Sequence, residues 1–134
     1  MPGEPVAQPP ARHVGTMVGD SPAWLVDGSA RWADDRVPIK TLWVLRATAE
    51  PVRITGRRLD RPGLLTMRRG EGMPAESYEI SNPGAESVMP GGAPAEIARE
   101  YVFLPSHVFY PSPGCWQFTI QIGREAFHVV RDLK

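Results

Sequence analysis

The clearest pattern in the chain lies near its C-terminus, where Trp116, Phe118, Ile120 and Ile122 take every second position and Gln117, Thr119 and Gln121 fill the places between. A period of two puts the apolar set on one face of a strand and the polar set on the other. Gly123, Arg124 and Glu125 supply a short turn, and "AFHVVRDL" (126–133) returns as the partner strand, so a C-terminal hairpin is predicted. "PVRITGRRLD" (51–60) alternates in the same way, with Val52 and Ile54 on one face, Arg53, Thr55 and Arg57 on the other, and Gly56 as a candidate bulge. "IKTLWVLRA" (39–47) is the most continuously apolar piece and reads as a central strand. "PAWLV" (22–26) reads as a short edge strand, followed by turn residues in "DGSARW" (27–32). "GLLTMRR" (63–69), "ESYEIS" (76–81) and "YVFL" (101–104) are further short strands. Residues 82–95 read as a long loop, and "PAEIARE" (94–100) has room for one helical turn.

Seven to nine short strands with turn signals between them and no long helix predict an all-β, immunoglobulin-like antiparallel sandwich. Residues 1–20 carry no periodicity and read as a flexible Pro-rich segment ahead of a single domain over 21–134. In immunoglobulin-like domains the penultimate strand is entered through a turn, an aromatic at the corner, and an inward residue two positions later. Gly114, Trp116 and Phe118 fit that spacing. Trp116 is then expected to pack inward with its N–H on a backbone carbonyl, and Phe118 to stand in for a disulfide cysteine. Cys115, out of phase with the apolar row, belongs to the opposite face or to the corner itself.

Composition narrows the function more than the fold. The chain has 134 residues, 15 basic and 15 acidic side chains and no net charge, so no overall field draws it to nucleic acid. The signs are segregated locally, however. Arg53, Arg57, Arg58, Arg61, Arg68 and Arg69 are crowded together with Asp60 as the only acid among them. Arg53, Arg57, Arg58 and Arg61 form the candidate surface for an anionic partner, because arginine forks match carboxylate, phosphate and sulfate groups. A solvated outer strand face is the competing reading.

Other chemistry is weaker. His107, Cys115 and His128 offer imidazole and thiolate donors that suit copper or zinc, which makes a small metal carrier one alternative. An accessory domain beside a larger enzyme is another. Trp32 and Trp43 are suited either to stacking on a sugar or to core packing. No glycine-rich phosphate loop, HExxH, GxSxG or paired CxxC is present, so no catalytic residues and no cofactor are expected. No run of 18 apolar residues exists to span a bilayer, and the single cysteine cannot form an intrachain disulfide. "MPGEPVAQPPARHVG" has neither the basic start nor the apolar run of a signal peptide, so as written the chain reads as soluble; a Pro-rich start ahead of a domain is equally what a trimmed export signal leaves, and composition does not separate the two readings.

"YPSPGCWQFTIQIG" (110–123) resembles the C-terminal signature of a group of bacterial, exported immunoglobulin-like proteins of unknown function, and "KTLWVLRA" and "PVRITGRRLD" stand upstream in similar order. The resemblance spans roughly residues 22–132. It implies a sandwich fold and an extracytoplasmic, cell-envelope location; taken together with the arginine patch, this makes another envelope protein or an anionic polymer the expected partner of a non-catalytic binding or structural module. It implies no catalytic residues.

Overall fold

The computed structural model describes residues 17–88 and 95–134. Its strands are β1 (Val18–Asp20), β2 (Ala23–Val26), β3 (Ile39–Arg46), β4 (Val52–Arg58), β5 (Thr66–Arg68), β6 (Ser77–Ile80), β7 (Tyr101–Phe109), β8 (Gly114–Ile122) and β9 (Glu125–Leu133). Two short helices, α1 (Pro83–Glu86) and α2 (Ala95–Glu100), fall between β6 and β7. The strands form two antiparallel sheets: sheet A in the order β1-β2-β3-β7-β5 and sheet B in the order β6-β4-β8-β9. The all-β sandwich read from the alternation is the fold.

The arrangement follows the immunoglobulin plan, with β2-β3-β7-β5 in the places of strands A, B, E and D, and β4-β8-β9 in those of C, F and G. One step departs from it. The strand beside β7 (β5) precedes in sequence the strand beside β4 (β6), so the chain visits sheet A before returning to sheet B. Reciprocal bonds, Met67 N–H to Ala75 O (2.7 Å) and Ala75 N–H to Met67 O (2.9 Å), tie the two arms of that excursion together.

The core lies where the sheets face. Trp43 on β3 meets Phe118 on β8 edge to face, with ring centroids 4.9 Å apart. Tyr110 adds T-shaped contacts to Phe118 (6.2 Å) and Trp116 (5.8 Å). The position expected to replace a disulfide cysteine thus holds an aromatic pair across the sheets. Trp43 cannot be buried with its N–H unpaired at low cost; it donates to Ser106 Oγ (3.1 Å), whose hydroxyl donates to the Thr41 carbonyl (3.1 Å).

Several boundaries differ from the sequence reading. The "PAWLV" strand is not an edge: β2 is buried throughout and lies between β1 and β3. The edge is β1, inside the stretch read as a lead-in, and Met17 beside it is also buried. Residues 1–16 of that stretch lie outside the described residues. Gly56 is no bulge, because the β4–β8 register runs through it unbroken. It is glycine because a Cβ there would come within 2.9 Å of the Leu65 side chain. The "long loop" contains α1, started by Asn82, whose side chain caps Ala85 N, with Pro83 in the first turn. Residues 89–94 of that loop are not described.

Strand β7 also runs beyond the predicted "YVFL", through Pro105 to Phe109. Proline is tolerated there because β5 pairs only with residues 107–109, leaving the flank beside Pro105 open. The Pro105 carbonyl accepts from Tyr78 Oη (3.0 Å), which places the proline's polar edge on that flank, away from β3.

Truncating the inter-sheet pair removes contacts from both central strands at once. Phe118→Ala is expected to lower unfolding free energy by about 3–5 kcal/mol, the range for deleting a buried large aromatic, as measured by denaturant unfolding; a loss below about 1 kcal/mol would show that the sheets do not depend on this contact.

Candidate functional site

Sheet B turns a polar face to solvent. Arg53 and Arg57 stand exposed on β4 with Thr55 between them. Across the β8 ladder, Gln121 lies beside Arg53, Thr119 beside Thr55 and Gln117 beside Arg57. On the other flank β6 sets Glu79 beside Arg53 and Ser77 beside Thr55. Arg57 Nη2 donates to Gln117 Oε1 at 3.4 Å, and among the described residues neither Arg53 nor Arg57 is in an ion pair. In the sequence Gln117 and Gln121 show only as the polar side of a strand; their place beside the arginines comes from a pairing some 65 residues apart in sequence.

Arg58 does not belong to that surface. Its side chain is only 8% exposed and its guanidinium lies 5.7 Å from the Trp116 ring centroid. Nε and Nη2 donate to the two Asp60 carboxylate oxygens (2.9 and 3.1 Å), and Nη1 donates to Ser112 Oγ. These bonds hold the Asp60 carboxyl below the usual carboxylate range. The period-two rule gives the reason: Arg57 points out, so its neighbour must point in. Arg61 sits exposed in the loop after β4, leaving Arg53, Arg57 and Arg61 as the accessible arginines of the four.

The corner residues converge on the same point. Trp116 is fully buried and its Nε1–H donates to the Ser112 carbonyl (3.1 Å), as expected for a corner aromatic. Ser112 therefore serves the Trp116 indole through its backbone and Arg58 through its hydroxyl. Gly114, at φ 132, leaves the space the Arg58 guanidinium fills; a Cβ there would run into Nη2. Cys115 faces the other way, half-buried opposite Asp132, with its Sγ 3.9 Å from Asp132 Oδ1.

The structure does not bring the three suggested metal donors together. His107 is on β7 in sheet A; Cys115 and His128 share sheet B, but His128 pairs with Thr119, four residues along β8 from Cys115, about 13 Å at strand rise. Among the described residues no group of three His, Cys, Asp or Glu side chains is placed to hold a metal. Trp32 and Trp43 form no stacking platform either. Trp43 is wholly in the core, and Trp32 is partly buried with Nε1 bonded to the Tyr110 carbonyl (2.9 Å).

A buried ion pair went unread in the sequence. Arg131 Nε donates to Asp27 Oδ2 at 2.7 Å and Nη2 to the Ala30 carbonyl at 2.7 Å, fixing the irregular loop after β2 to β9. Their side chains are 11% and 3% exposed. Burial, with the Asp27 carboxylate nearby, pushes the Tyr110 phenol well above its usual range. The signal was present, since Arg131 sits in the apolar row of Val129 and Leu133.

The two kinds of arginine separate by stability. Arg58→Ala is expected to destabilise by about 2 kcal/mol through lost hydrogen bonds and stacking, whereas Arg53→Ala should stay within about 0.5 kcal/mol of the parent; equal effects in denaturant unfolding would contradict the assignment. Compared with family models, curated proteins and solved structures, the chain matches none of them.

Proposed function

We propose that this chain is a non-catalytic binding module of the bacterial cell envelope that holds an anionic surface polymer against the outer face of sheet B. The observation that carries the reading is the pair Arg53 and Arg57, exposed on one strand and in no ion pair among the described residues, although Glu79 lies across the ladder from Arg53. They stand four residues apart, about 13 Å along β4, so they would meet successive charges of an extended chain rather than one compact anion. Gln117 and Gln121 stand beside them with amide groups that both donate and accept. The face is four strands wide, which suits a linear polymer better than a small molecule.

The envelope location rests on the resemblance of the "YPSPGCWQFTIQIG" stretch to exported proteins. Among the described residues no helix is long and apolar enough to cross a membrane.

Binding of this kind depends on exposed charge and is screened beyond about 8 Å at physiological ionic strength. An acidic polysaccharide, polygalacturonate, should bind at low salt and be released steeply as salt rises, as followed by fluorescence or light scattering. Replacing Arg53 and Arg57 together by alanine should abolish binding with the circular dichroism spectrum unchanged. Equal binding by parent and double variant would overturn the proposal, and retention by an acidic protein alone would move the partner to another envelope protein.

A further inference from the structure

Sheet A has an outer face of a different character. Trp24, Val26, Val44, Tyr101 and Phe103 form a second apolar cluster there, with Met17 buried among them and Ile97 of α2 packed against it. Beside this cluster lies a groove of about 650 Å³, within the usual size range of small-molecule sites. Val26, Leu42, Val88 and Pro105 line it with apolar surface; Lys40 and Arg69 contribute its cations, His107 an imidazole, and Glu86 and the Arg131-bound Asp27 its carboxylates. Val88 is 57% exposed although apolar.

The cationic side is arranged unfavourably for an empty groove. Lys40, His107 and Arg68 are direct cross-strand neighbours on β3, β7 and β5. Basic groups set side by side on one face repel when charged. Arg69 has Glu86 at 3.8 Å, but among the described residues no acid pairs with Lys40, His107 or Arg68. His107 Nδ1 and Arg68 Nε are buried without a hydrogen-bond partner, and an unsatisfied buried polar atom is costly. Burial, then Arg68 and Lys40, hold the His107 pKa below the usual imidazole range. An anion beside this row would relieve the repulsion, and an apolar body behind it would cover the exposed valine.

We propose that the groove binds a long-chain carboxylate, its chain against Val26, Leu42, Val88 and Pro105 and its head group beside Lys40 and His107. The site is on the opposite sheet from Arg53 and Arg57, so it stands or falls independently of the polymer-binding face.

The test is calorimetric titration of the whole chain with dodecanoate below its micelle concentration, with dodecanol and acetate as head-only and tail-only controls in reverse. Dodecanoate should bind one to one, dodecanol at least about tenfold more weakly, and acetate not measurably. Lys40→Met should weaken dodecanoate by about tenfold and leave dodecanol unchanged; Val88→Glu should weaken both. Both residues are exposed, so folding is not at risk. Equal affinity for dodecanol and dodecanoate, or no response to Lys40→Met, would overturn the head-group placement. No binding of dodecanoate, or binding indifferent to Val88→Glu, would overturn the site. The Arg53/Arg57 double variant should bind dodecanoate like the parent, and loss there would likewise overturn it.

Discussion

The edge-to-face contact between Trp43 and Phe118 joins the two sheets at their centres. Trp43 belongs to β3, flanked by β2 and β7, and Phe118 to β8, flanked by β4 and β9. Each ring therefore sits on a strand that anchors its neighbours on both sides. A disulfide at this place would fix the Cα separation and a dihedral angle between two strands. The aromatic pair also fixes orientation, since an edge must meet a face, and the indole N–H commits β7 through Ser106. Tyr110 and Trp116 extend the aromatic layer to the corner, where Arg58 and Ser112 close it.

Much of this was legible. Wherever a strand alternates over six or more residues, as in 51–60 and 114–122, its existence and its inward face follow from a period of two, and the turn at 123–125 adds the pairing of β8 with β9, whereas the partners of β4 are set by long-range register. The corner followed from local spacing alone. Short elements escaped: three residues at Val18–Asp20 cannot display a period, and Pro105 read as a stop because the open flank that excuses it is set by how far β5 extends. Arg58 and Arg131 are more instructive. Alternation already placed both on inward faces, but their charge suggested surface, and only the structure supplies Asp60, Ser112 and Asp27 as partners. The Lys40–His107–Arg68 row could not be seen at all, because it joins three strands across some 67 residues.

A net charge of zero hides how differently the two outer faces are made. Sheet B shows water a polar lattice of arginine, threonine, glutamine and the Glu79 carboxylate, while the outer face of sheet A carries an apolar cluster, partly roofed by α2 and Met17, beside the Lys40–His107–Arg68 row. A sandwich needs only its inner faces to be apolar. The second apolar layer on sheet A is thus surplus to the fold's basic requirement, and Ile97 of α2 covers part of it. Polar and apolar recognition can then coexist on one small domain without sharing residues.

The reversed order of β5 and β6 has a mechanical meaning. Most apolar contacts between stacked sheets have no preferred direction, so side-chain packing resists sliding less than a hydrogen-bonded ladder does. Here a single hairpin has one arm hydrogen-bonded into sheet A, at β7, and the other into sheet B, at β4, with Met67 and Ala75 clasping the arms together. Sliding one sheet by a residue would have to break a directional ladder at one end of that clasp. The hairpin thus acts as a pin against shear along the β5–β6 margin, and the Met67–Ala75 bridge occupies part of the edge that β5 would otherwise leave open to a foreign strand.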